Sequence, residues 1–383
     1  MGRGDAGARV DQAGEHRLAR FESLRALAAL GVLGSHAWGE HHSFTPAAYD
    51  GHLDRLVFGG GYGVYVFFAL SGYLLFRPLA RAAFGDGERV DLGDYGRNRV
   101  LRIVPLYYAV AAILFVLSAG GGSPSEWLRF ATFSQNFFSG TVLALDSPMW
   151  SLIVEVQFYA LLPLLALGLA WVSRRDLRVA AGVLVALGLA GVALRSYLLR
   201  PTVDDPRIVY SLATTSFFFV PGLLLALARI GWDRRGGALR LPGPLGSSDA
   251  WALAAIAAWI YVIERFDVEP LVTVATFLTL GAIALPLRPG RFAAILDWRP
   301  LALVGVVSYS LYLWHLPLVN FIGEHISRSL PLMLGAVAAS IALAFLSYRV
   351  IEAPFLRLRR RWARRAEPAD VEDAPAGLVT RPA

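Results

Sequence analysis

Ten stretches of this chain are apolar for roughly the 20 residues a helix needs to cross a bilayer. They fall near 22–38, 62–80, 101–119, 149–171, 178–198, 208–228, 250–264, 270–287, 301–322 and 331–352. In lipid every backbone N–H and C=O must be satisfied internally, and a helix does this within one segment. The expected fold class is therefore all-α, a polytopic membrane helical bundle of about ten transmembrane helices. Composition agrees, with 56% hydrophobic and 17% charged residues over 383 positions. A soluble domain cannot cover that much apolar surface. A signal peptide is the other reading of the first stretch. Nine further spans and the lack of a small-x-small cleavage site argue against it.

Where the arginines fall gives the orientation. All 36 basic residues are arginine. With the N-terminus inside, 26 of them lie on cytoplasmic segments, seven on the opposite face and three at helix ends. That asymmetry predicts both termini in the cytoplasm, and it assigns the basicity to topology and anionic lipid rather than to nucleic acid. The absence of Lys and Cys excludes Schiff-base lysines, thiolate nucleophiles and cysteine metal sites. No metal site is expected.

Three domains are expected: a disordered cytoplasmic N-terminus over 1–19, a transmembrane domain over 20–355, and a basic then disordered cytoplasmic tail over 356–383. The terminal segments are Gly-, Arg- and Asp-rich or Pro-rich and resist packing into a core. The outer segment 120–148 is too long and aromatic for a plain connector. It is expected to dip back into the protein or to form a lid.

Ionisable groups inside apolar spans are functional candidates, because desolvation penalises them unless a partner or water is present. Arg25 and His36 lie eleven steps apart in RALAALGVLGSHAW, about 16 Å along one helix face at 1.5 Å per residue. A neutral imidazole is suited to accept a proton near neutral pH. A snorkelling arginine plus a hydrogen-bonded core histidine accounts for the same spacing. Arg99 and Arg102, in NRVLRIVPLYY, are a guanidinium pair suited to phosphate oxygens; positive-inside flanking explains them equally well. Ser151, Glu155 and Tyr159 recur every four residues in MWSLIVEVQFYALLPLL and form a polar stripe. Glu155 is read as a group that orients His36 or moves a proton, against a structural bond to another helix. His315, with Tyr309 and Trp314 in VSYSLYLWHLPL, is expected to line a pocket. Glu352 is read as a local ion pair with Arg349, and Ser71-Gly72 as a close helix contact or a substrate-lined gap.

In order, LRALAALGVLGSH, FFALSGYLL, the Arg99/Arg102 pair with IVPLYY, WSLIVEVQFY, SYSLYLWH and YRVIEAPF resemble the acyltransferase-3 family of integral membrane O-acyltransferases. The resemblance runs from about Arg20 to Phe355. It implies transfer of an acyl group, usually acetyl, from acyl-CoA to a hydroxyl of a carbohydrate or glycosylated acceptor, with no permanently bound cofactor. It implies His36 as catalytic histidine with Arg25 its paired residue, Arg99 and Arg102 at the acyl-CoA donor, and Ser151 with Glu155 as the later polar pair. His36 would then be a general base held by Glu155, with a transient acyl-histidine as a second route. Tyr65 departs from the Asp of many members and is expected to bear on the acceptor. A stand-alone form without the appended hydrolase-like domain is expected, in a bacterial plasma membrane. The rival reading is a proton-coupled transporter or flippase of lipid-linked sugars, with Glu and His as proton relays.

Overall fold

The computed structural model describes residues 3–45, 51–118, 120–199, 205–236, 241–265 and 269–366. Among them the chain is helical, without strands, apart from one isolated bridge between Ser247 and Arg288. The long helices are α1 (Arg3–His41), α2 (Gly63–Phe84), α3 (Leu92–Leu117) and α4 (Met149–Val172). They continue with α5 (Leu177–Leu198), α6 (Val220–Arg234), α7 (Ser248–Arg265) and α8 (Val272–Ala284). The last three are α9 (Ser308–His325), α10 (Leu330–Ser347) and α11 (Ala353–Ala366).

The ten apolar stretches are largely helical, but they do not all meet the same standard for a span. Among the described residues six segments are long and apolar enough to cross a membrane: His52–Phe84, α3, α4, α5, Leu212–Arg234 and Leu330–Arg359. A seventh is gained if Arg299–Val306 and α9, which meet at a 72° bend, are one broken span. The stretches within α1, α7 and α8 fall outside that set. α7 carries Asp249, Glu264 and Arg265 within its 18 residues, and α8 has only 13. The apolar part of α1 is bracketed by charge within a 39-residue helix.

Helix α1 starts at Arg3, which differs from the expected disorder over 1–19. Once the apolar turns are nucleated, adding helical residues is cheap, and Ala, Arg, Glu and Gln in this segment are good helix formers. The tail is likewise helical as far as Ala366; residues 367–383 of the expected disordered segment lie outside the described residues.

Helix α2 is the axis of the bundle. Phe68, Tyr73 and Phe76 are fully buried with Phe217, Phe218 and Phe219 from the segment leading into α6. Phe219 stacks on Phe68 at 4.6 Å and on Phe158 at 3.8 Å between ring centroids. Lipid offers no hydrophobic drive for helices to associate, so close packing must hold them. Gly72 and Gly222 make that possible: a Cβ on Gly222 would lie 1.9 Å from the Ala69 carbonyl oxygen. One on Gly72 would lie 2.7 Å from that of Phe219. The Ser71-Gly72 pair thus serves packing through its glycine.

The segment 120–148, expected to dip back or to form a lid, packs against α3 and α4. A capping box at Ser123 starts a short helix, Pro124–Ala131. Beyond it Gln135 and Asn136 are buried, Gln135 donating to the Tyr107 hydroxyl at 2.9 Å and Asn136 to the Trp150 carbonyl at 2.9 Å.

Candidate active site

Of the cavities between the helices, two hold most of the polar candidates between them. The larger, about 410 Å³, lies among α1, α2, α3, α4 and α9. It is lined by Arg25, Ser71, Arg99, Arg102, Ser151, Glu155, Tyr159, Tyr309 and Tyr312. Leu18 of α1 and Arg359 of α11 also border it; Leu18 is largely exposed, which marks the mouth. The second cavity, about 320 Å³, is lined by Ser35, His36, Phe58, Tyr62, Tyr65, Trp150, Tyr210 and Tyr312, among others. Val64 and Tyr312 line both, so the chambers share a wall.

In the arginine chamber the guanidinium groups are held differently. Arg25 donates weakly to Ser308 Oγ at 3.3 Å, lies 3.7 Å from Glu22 and sits over the Phe67 ring at 5.9 Å. Arg102 lies 3.9 Å from Glu352. The buried Nε of Arg99 has no hydrogen-bond partner among the described residues. An orphaned buried donor costs about 1–3 kcal/mol, and several guanidinium groups around one space repel one another. An anion with several oxygens would relieve both penalties.

Two carboxylates, Glu155 and Glu352, stand at or beside this chamber. Glu155 accepts from Ser71 Oγ at 2.7 Å, and Ser71 meets the Tyr159 hydroxyl at 3.0 Å. Its expected role in orienting His36 is not what the geometry gives, because its carboxylate is engaged on α2 and α4. Glu352 does not pair with Arg349. A π-helical turn, Tyr348–Glu352, rotates its side chain inward to Ser310 and Arg102; such turns widen the helix locally and re-aim side chains.

His36 takes its partner from α9. Its Nδ1 lies 2.9 Å from His315 Nε2, and the rings are 5.0 Å apart between centroids. His315 is 1% exposed and donates from Nδ1 to the Tyr312 carbonyl at 2.8 Å. Tyr312 in turn donates from its hydroxyl to the Pro148 carbonyl at 3.0 Å and meets Ser151 Oγ at 2.6 Å. His315 stands behind His36 rather than on a cavity surface. Trp314, also expected in a pocket, points to α10 and donates to Ser347 Oγ at 3.0 Å. Tyr309 lines the arginine chamber and donates to the Ile103 carbonyl at 2.8 Å.

Two residues escaped sequence reasoning. Tyr312 shares the run with His315 but is one tyrosine among several there, and only the fold puts it in the dividing wall. Arg359 reads as one more cation of a basic block, yet α11 brings it to the chamber mouth. Among the described residues no group of three or more His, Cys, Asp or Glu is placed to hold a metal.

A helical bundle with a charged chamber and an imidazole-bearing chamber on either side of one wall defines a membrane protein with an internal polar site. The chain belongs to the acyltransferase-3 family, whose acyltransferase-domain model matches residues 18–349. It is 30% identical over 360 residues to YrhL of Bacillus subtilis (strain 168), provisionally named a peptidoglycan O-acetyltransferase, covering 82% of this chain and 55% of the relative. It is 26% identical to the peptidoglycan O-acetyltransferase OatA of Listeria monocytogenes, covering 87% and 55%. With the O-acetyltransferase OatA of Staphylococcus aureus (strain NCTC 8325 / PS 47) identity is 25%, covering 79% and 54%. The chain thus spans about half the length of the curated relatives it matches. No solved structure matches it.

Proposed function

We propose that this protein transfers an acetyl group from acetyl-CoA to a hydroxyl of a carbohydrate acceptor, with His36 as general base. The observation that carries the reading is that Arg25 and His36, on one helix, line two neighbouring cavities that have Val64 and Tyr312 in common. Arg99 and Arg102, with Arg25, hold the phosphates of the donor, and the pantetheine arm extends along the chamber toward the wall. The acceptor occupies the second chamber, where Tyr62, Trp150 and Tyr210 offer ring faces to the apolar face of a sugar. The names of the relatives point to a peptidoglycan glycan as that acceptor.

The step balances simply. The ring nitrogen of His36 that does not face His315 takes the proton of the acceptor hydroxyl. The oxygen attacks the thioester carbonyl, the C–S bond breaks, and the departing thiolate takes the proton back from the imidazolium. The products are an O-acetyl ester and CoA thiol. The topology that suits this has ten spans with both termini and the arginine chamber facing the cytoplasm of a bacterial plasma membrane. The arginine distribution supports it.

The test uses purified protein in detergent, acetyl-CoA and a chito-oligosaccharide acceptor. Because the chain has no Cys, a thiol reagent reads only released CoA, and mass spectrometry reads the ester. CoA release matched by an acetyl ester supports the reading. No transfer to any hydroxyl acceptor, with acetyl-CoA left intact, refutes it.

A further inference from the structure

We infer that His315 is a positioning residue that locks His36 as the Nδ1–H tautomer and so makes Nε2 of His36 the reacting atom. The inference rests on the reading of His36 as base. A carbonyl oxygen can only accept, so the 2.8 Å contact from His315 Nδ1 to the Tyr312 carbonyl requires the proton of a neutral His315 to sit on Nδ1. Its Nε2 is then a lone pair, and that lone pair faces His36 Nδ1 at 2.9 Å. His36 must therefore donate from Nδ1. What remains on His36 is an unprotonated Nε2, the one nitrogen able to take a proton from a hydroxyl.

The arrangement has the form of a base held by an orienting acceptor, with imidazole in the place usually taken by a carboxylate. Once His36 is protonated, the same contact keeps a hydrogen bond to the new cation. A neutral partner does this without adding a second charge to a buried site. The chain of bonds ends in the backbone of α9 at Tyr312, whose side chain forms the dividing wall. Base and wall are therefore joined through one run of bonds.

Nitrogen-15 NMR of histidine-labelled wild-type protein reads the tautomer directly, with His36 assigned by its loss in His36→Gln. A protonated Nδ1 with unprotonated Nε2 is expected; the reverse overturns the inference. Kinetics give the second readout. His315→Leu removes the acceptor at similar volume and should lower kcat about 10- to 100-fold while leaving the KM for acetyl-CoA unchanged, since the donor sits in the other chamber. His315→Gln, which returns an oxygen acceptor, should recover most of kcat. Full kcat in His315→Leu overturns the inference, as does a Gln variant no better than Leu. If His315→Leu does not fold, the wild-type tautomer decides. A His36→Gln variant with full activity removes the base itself, whereas an inactive His36→Gln beside a fully active His315→Leu removes only the positioning role.

Discussion

Arg99 illustrates how a single side chain can be read. Its guanidinium lines a cavity and its buried Nε has no partner among the described residues, a cost that an anion bound there would offset. Arg99→Ala should therefore raise the KM for acetyl-CoA about 10- to 100-fold, the loss of one or two charge-assisted hydrogen bonds, with kcat little changed. Initial rates against donor concentration check this, and an unchanged KM removes Arg99 from the donor site. At this scale the charged residues are legible in sequence, because a charge in an apolar run stands out. Their partners are not. His36 and His315 are 279 positions apart, and nothing in either neighbourhood announces the other. Pairing Glu352 with Arg349 assumes regular helix between them, and the π-helical turn breaks that assumption.

At the scale of elements, the crossing of α2 and α6 is one of the closest approaches in the bundle. Gly222→Val places a side chain where a Cβ alone meets the Ala69 carbonyl oxygen at 1.9 Å. Overpacking of this kind costs about 1–3 kcal/mol or more, so the variant should melt well below wild type or fail to insert; an unshifted melt would show the helices free to part. The start of α5 responds to pH instead. Asp176 caps it, accepting from the backbone N–H groups of Arg178 and Val179, and those bonds hold its carboxyl below the ordinary value of 3.8. A depressed carboxyl adds stability above its unfolded value and loses it as pH falls through the folded one. Asp176→Asn should thus melt lower than wild type at neutral pH, and the gap should close below about pH 4. A gap that persists in acid would mean the charge is not the cause. Apolar length makes these helices legible in sequence, and Gly72 already marks a close contact; that its partner is Gly222 follows only from the fold.

For the molecule as a whole, the two chambers and their sidedness form one claim. The chain has no Cys, so single cysteines at exposed Ser139 and exposed Gly236 are clean reporters in cells. An impermeant maleimide should label the first from outside and reach the second only after lysis; the opposite pattern would invert the topology. Helical class and family are legible because motif order survives where overall identity is low. The division into two chambers is not. Arg25 and His36 share a helix face by spacing, yet they line different cavities, with Val64 and Tyr312 common to both. The proposed function makes holding the donor and moving the proton separate jobs. Purified His36→Gln protein should bind acetyl-CoA as wild type does, by calorimetry in detergent, yet release CoA to a chito-oligosaccharide about 10²- to 10⁴-fold more slowly. Transfer at the wild-type rate by that variant would contradict the division.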